Sequence, residues 1–119
     1  MDNGPWTILV ERTHIPLATR ATVARTLSER LTGLLGRAQL PAGEALMFPV
    51  CSSIHTIGMR FPIDAIFVDR DWRVVALKSQ VRPWRVVLPV RKAWAVVETP
   101  AGTIAQTRVA IGDRLSLCS

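Results

Sequence analysis

Residues 51–64 read Cys-Ser-Ser-Ile-His-Thr-Ile-Gly-Met-Arg-Phe-Pro-Ile-Asp and bring a thiol, an imidazole, a thioether, a guanidinium and a carboxylate into one short stretch. Three chemistries can be written for them. Cys51, His55 and Met59 are soft or borderline ligands that suit copper or zinc if they converge. Four-residue steps align on a helix, which Gly58, Pro62 and the β-branched content oppose, and a strand would put these residues on one face but far apart. A packed methionine and a satisfied core histidine are therefore the stronger reading, and neither a metal nor another cofactor is expected. Cys51 or Ser53 with His55 and Asp64 spells a nucleophile, a base and an orienting acid. Triad members ordinarily come from separate elements, so a hydrolase-type enzyme with His55 as base stands as an alternative. The third chemistry is anion binding. Here Arg60 grips a carboxylate or phosphate, His55 and Thr56 exchange hydrogen bonds with it, and Asp64 and Glu98 hold the guanidinium. A structural ion pair of Asp64 with Arg60, Arg30 or Arg37 competes with that reading, because a carboxylate opening an apolar strand must be exposed or paired.

Charge sharpens the choice of partner. Fifteen Lys and Arg stand against nine Asp and Glu, a formal net charge of +6. Residues 70–97 hold the excess: Arg70, Arg73, Lys78, Arg82, Arg85, Arg91 and Lys92 against Asp71 alone. Such a segment attracts phosphates, an acidic protein or anionic head groups. Within it, Arg82-Pro83-Trp84-Arg85 and Arg91-Lys92-Ala93-Trp94 interleave basic and aromatic residues, the combination used on single-stranded nucleic acid. Both tryptophans flank apolar strands, so core packing with arginine at the rim outweighs it. A single-stranded nucleic-acid binder through residues 82–94 is the second alternative.

The elements that must position these residues are mostly extended. Strands are predicted over Trp6–Arg12, Ala18–Val23, Ala45–Val50, Ile63–Val68, Arg73–Leu77, Arg85–Leu88, Ala93–Glu98, Ile104–Val109 and Leu115–Cys118. Asp69-Arg70-Asp71-Trp72 reads as a hairpin turn. Thr26-Leu27-Ser28-Glu29 fits a capping box, and Leu27, Leu31, Leu34 and Leu35 form the apolar stripe of a helix behind it. Many short strands with one helix predict a mainly β (α+β) fold, a small barrel or jelly-roll-like sandwich with one short helix near the N-terminus. The 119 residues suit one domain, 1–119, and 49% apolar content excludes a disordered chain. No apolar run approaches the ~20 residues of a membrane span. Cys51 and Cys118 form no CxxC pair, and Met1-Asp2-Asn3-Gly4-Pro5 has no leader character. Cytoplasmic residence is the expectation.

The order of several short motifs resembles the prokaryotic family known as domain of unknown function 192. They are Ala24-Arg25-Thr26, Glu29-Arg30, Gly33-Leu34-Leu35-Gly36-Arg37, Leu46-Met47-Phe48, Ile54-His55-Thr56, Met59-Arg60, Ile63-Asp64 and Phe67-Val68-Asp69. Val74-Val75, Val97-Glu98, Ala101-Gly102 and Gly112-Asp113 complete the series, over roughly residues 20–117. The resemblance implies a compact β-rich fold with one short helix and a bacterial setting. It brings no activity, catalytic residue or cofactor, and it implies pilus or secretion components as partners. Trp72 stands where relatives commonly carry glycine, and His55-Thr56 where many have an aromatic-Met-Lys-Asn sequence. The leading expectation is a non-enzymatic binding or accessory module. It would recognise a small anionic ligand or an acidic peptide segment through His55, Thr56, Arg60, Asp64 and Glu98.

Overall fold

β-branched and apolar runs become strands wherever turn residues bracket them, as a computed structural model covering residues 4–24 and 39–118 shows. In chain order they are β1 (Trp6–Val10), β2 (Ile15–Val23), β3 (Glu44–Pro49), β4 (Ile54–His55), β5 (Ile63–Val68), β6 (Val74–Val81), β7 (Val86–Val87), β8 (Ala95–Pro100) and β9 (Leu115–Cys118). Seven of them form one sheet in the order β6-β5-β8-β3-β2-β1-β9. The pair β2 and β3 is parallel and the other neighbours are antiparallel. The two outermost strands of that order meet at one end. Leu115 N–H donates to the Trp72 carbonyl (2.9 Å), Val74 N–H to Asp113 (2.8 Å) and Gly112 N–H to Val74 (2.8 Å). These bonds curl the sheet into a half-barrel, so the expected mainly β, barrel-like character holds.

The middle of the sheet is buried on both faces, as the near-continuous apolar β5 sequence requires. Ile66, Val68, Val97 and Met47 face an inner core with Ile8 and Val10. Ala65, Phe67, Val96 and Phe48 face an outer core with Met59 and Phe61. Full burial of each large side chain contributes roughly 1.5–3 kcal/mol. Residues 50–62 and 82–94 cover the outer core, joined by the small antiparallel sheet of β4 and β7.

The helix expected at Leu27–Leu35 lies outside the described residues. The helix that is described is near the C-terminus, α1 (Thr103–Thr107), where Ile104–Val109 was expected to be a strand. Asp64 explains the difference. Its carboxylate accepts from the N–H groups of Gly102 (3.1 Å) and Ile104 (2.8 Å), fixing the first turn. Gly102 (φ 100°) and Arg108 (φ 59°) close the helix at both ends in the left-handed region. β-branched content alone does not reveal a cap supplied from a strand far away in sequence. Among the described residues, no helix is long and apolar enough to cross a membrane.

Candidate functional site

Three tryptophans converge where the curled sheet opens. Trp6 begins β1, Trp72 ends the β5–β6 turn and Trp94 immediately precedes β8. The turn is built by Asp69, whose Oδ1 accepts from the N–H groups of Asp71 (2.9 Å) and Arg73 (3.0 Å). It leaves Trp72 in the left-handed region at φ 65°. That conformation costs a non-glycine residue roughly 1–2 kcal/mol. Edge-on packing against Trp94, with ring centroids 6.2 Å apart and planes at 77°, offsets part of it. Trp94 is anchored in turn by its N–H to the Val68 carbonyl (2.7 Å).

The result is a cavity of about 560 Å³ whose described walls are mostly apolar. Val23, Met47, Pro49, Leu115 and Leu117 complete the apolar lining, and Glu11, Arg114 and Ser116 give it a polar rim. The Trp6 indole N–H is buried and finds no acceptor among the described residues. On the rim, the Ser116 hydroxyl donates to Glu11. Arg12 is committed to Asp113 through two bonds (2.7 and 3.0 Å) and also donates to the Arg108 carbonyl (3.2 Å). The Arg12 guanidinium holds the Asp113 carboxyl below the usual carboxylate range, and an N–H from Ala110 adds to the effect. Arg12–Asp113 is the one ion pair among the described residues, which leaves the exposed Arg114 guanidinium without a carboxylate partner among them.

The residues singled out from the sequence are divided by the fold. Asp64 is fully buried, and besides the two N–H groups of the α1 turn it accepts from Gln80 N–H (2.8 Å). That donor is turned inward by a bulge in β6, where Gln80 sits at φ 50°. Thr56 is also fully buried: its hydroxyl donates to the Arg82 carbonyl (2.5 Å) and accepts from Arg85 N–H (2.9 Å). Thr56→Val should therefore cost about 1–2 kcal/mol and speed hydrogen exchange at Trp84 and Arg85. Unchanged exchange there would deny the threonine its stapling role. His55 is exposed, and its Nδ1 accepts from Ile57 N–H (3.3 Å). Arg60 is exposed and forms no ion pair with Asp64 or Glu98. Glu98 is buried beneath the outer layer, and burial pushes its carboxyl up to about 8.

No hydrogen bond joins His55 to Asp64, so the described geometry contains no relay for the hydrolase alternative. Cys51 and Cys118 are free thiols, and Cys51 donates to the Ser53 carbonyl (2.9 Å). Among the described residues, no three His, Cys, Asp or Glu side chains are placed to hold a metal ion. Of the two tryptophans in residues 82–94, Trp94 packs into this cup while Trp84 stands exposed. The cup is not among the sites expected from the sequence, where its signal is four tryptophans with no tyrosine, one of them at a glycine-like turn position.

With the geometry in place, comparison with known proteins adds the family. The family model DUF192, described as Uncharacterized ACR, matches residues 8–117. A UPF0127 protein of Thermococcus sibiricus is 34% identical over 100 residues, covering 81% of this chain and 64% of that one. A UPF0127 protein of Pyrococcus furiosus is 42% identical over 64 residues, 54% of each chain. The chain thus spans between about half and just under two-thirds of the length of these curated relatives. They are archaeal and do not support the bacterial setting expected from the resemblance. A crystal structure of a protein of unknown function from Novosphingobium aromaticivorans superposes with a TM-score of 0.78 at 27% identity, covering 94% of this chain and 83% of that one. A putative transcription regulator from Sinorhizobium meliloti gives a TM-score of 0.79 at 20% identity, over 94% and 91%, a likeness of fold alone.

Proposed function

We propose that this chain, which belongs to the DUF192 family, is a binding module whose tryptophan-lined cup takes a small amphipathic anion. The observation that carries the reading is the buried Trp6 indole N–H, without a described acceptor, in the wall of an apolar cavity. A ligand with a flat apolar body would lie against Trp72 and Trp94. Its acceptor would meet the Trp6 donor, and its charge the Arg114 guanidinium at the rim. The cavity volume falls within the range of roughly 300–1,000 Å³ common to small-molecule sites. Glu11 on the same rim disfavours a second acidic group, so the ligand class is a monoanion.

This differs in place, though not in kind, from the anion site expected around Arg60. There, Thr56 and Asp64 make their hydrogen bonds to backbone groups and Glu98 is buried, which leaves the exposed His55 and Arg60 to meet a ligand.

Intrinsic fluorescence tests the proposal directly. With Trp84→Phe, every remaining emitter of this tyrosine-free chain lines the cup. The probes are 8-anilinonaphthalene-1-sulfonate and its uncharged relative N-phenyl-1-naphthylamine. The sulfonate is expected to quench the cup tryptophans saturably under native conditions. Arg114→Gln should weaken it about tenfold, ~1.4 kcal/mol, while the uncharged probe changes less than about twofold. Arg60→Gln should affect neither. Equal losses for both probes on Arg114→Gln, or binding that responds to Arg60 instead, would overturn the assignment.

A further inference from the structure

β7 and the residues that flank it carry apolar side chains that the fold leaves uncovered. Trp84, Val86 and Leu88 are 66%, 64% and 77% exposed, while Val87 between them packs onto the outer core. Alternation is the reason. Successive residues of an extended chain point to opposite sides, so burying Val87 turns Val86 and Leu88 to solvent together, while Trp84 is exposed from the preceding turn, where it sits at φ 65°. Single exposed apolar residues are ordinary, but three within five residues, 84–88, are not.

The edge of that strand is open as well. β7 pairs with β4 in a sheet of two strands, with Ile54 opposite Val87 and His55 opposite Val86. Thr56 N–H donates to the Arg85 carbonyl (2.8 Å), and Trp84 N–H to the Thr56 carbonyl (2.9 Å). The antiparallel pattern then directs the N–H and C=O of Val86 away from β4. No described residue pairs with that far edge. Pro83 and Pro89 bound the open stretch.

Charge narrows what fits it. Arg82 and Arg85 are exposed beside the apolar face, and Arg91 and Lys92 follow Leu88 closely, sharing a shallow groove with Arg73. Asp69, the carboxylate in that groove, is already engaged by two turn N–H groups.

We propose that β7 is a docking edge onto which an acidic, extended segment of a partner protein adds as a third strand beside β4 and β7. Main-chain bonds to Val86 supply the pairing. Val86 and Leu88 receive alternate apolar side chains, Trp84 adds an exposed ring at the start of the edge, and the surrounding arginines and lysines select for acidic side chains. An anionic lipid surface shares the charge preference. It offers no partners for the open backbone groups of Val86, which a hydrocarbon environment penalises. Single-stranded nucleic acid would find one exposed ring, because Trp94 is packed in the cup.

The probe is a short fluorescein-labelled peptide alternating glutamate and valine, with a lysine-for-glutamate version as control, read by anisotropy against the intact chain. Expected are saturable binding of the acidic peptide that weakens as salt rises, no binding of the lysine version, and a shifted Val86 amide resonance. Val86→Pro removes the outward donor without touching the ladder to β4 and should weaken binding by about tenfold or more. Trp84→Ser and Leu88→Ser change only exposed side chains and should each weaken it severalfold, so the test does not hang on the proline variant folding. Absence of salt-sensitive peptide binding overturns the proposal, as does binding indifferent to all three substitutions. So does transfer of the Trp84 dependence to phosphatidylglycerol vesicles or to a single-stranded oligonucleotide.

Discussion

Asp64→Asn is expected to destabilise the protein by about 3 kcal/mol, with a fall in Tm on the order of 10 °C. The wild-type carboxylate answers three backbone donors from two separate segments: Gln80 at the β6 bulge, and Gly102 and Ile104 at the entry to α1. Oδ2 takes the two α1 donors and Oδ1 takes Gln80. An asparagine amide offers one acceptor oxygen in place of two. In either orientation its NH₂ faces a buried donor, which is then left without an acceptor. Asp64→Ala should cost more, because all three donors lose their acceptor together. Hydrogen exchange should report the damage locally, with Gln80, Gly102 and Ile104 amides losing protection ahead of the central sheet. If the asparagine variant stays within about 0.5 kcal/mol of wild type, the carboxylate does not join the bulge to the helix.

Glu98→Gln should act in the opposite direction. Glu98 lies on β8 with Leu46 of β3 and Ala65 of β5 directly opposite on either side. Beyond them lie Thr22 of β2 and Lys78 of β6, and the carboxyl forms no ion pair with any described residue. Burial raises it from an ordinary value of 4.5 to about 8. In the unfolded chain the group ionises near 4.5, whereas in the fold it keeps its proton until near 8. Between those values the folded state holds the extra proton, so stability falls as pH rises and levels off above the folded value. At about 1.4 kcal/mol per pH unit, the accumulated cost is on the order of 3 kcal/mol near pH 7 and about 5 kcal/mol above pH 8.

Glutamine keeps the shape and is uncharged throughout. The variant should match wild type near pH 5, exceed it by several kcal/mol near pH 8.5, and show no slope between. Denaturant titrations at those pH values decide it. A wild-type stability flat across the window would mean that Glu98 is already ionised and accommodated in the fold.

Both effects arise from carboxylates that the sequence marks as unusual without saying why. Asp64 and Glu98 interrupt apolar strands, and a charge in such a run must be paired, hydrogen-bonded or neutral. Those options look alike along the chain, because pairing with Arg60 and capping a distant turn require the same residue at the same place. Which one occurs depends on where the β6 bulge and the entry to α1 fall in space. Thr56 is a similar case: an unremarkable threonine becomes the staple between two loops.

What the sequence determined by itself is the local pattern. Alternation and turn residues located Ile63–Val68 and Leu115–Cys118 at their observed bounds, and Asp69–Trp72 as a hairpin turn. These features rest on nearest-neighbour sterics and short-range hydrogen bonds, which sequence carries directly. Tertiary structure alone decided that Trp6, Trp72 and Trp94 would share one cavity, that Val87 would turn inward and leave Val86 and Leu88 outside, and that residues 103–107 would form a helix. Each depends on contacts between segments far apart in the chain, where the curl of a sheet selects which side chains meet and no periodicity records the choice.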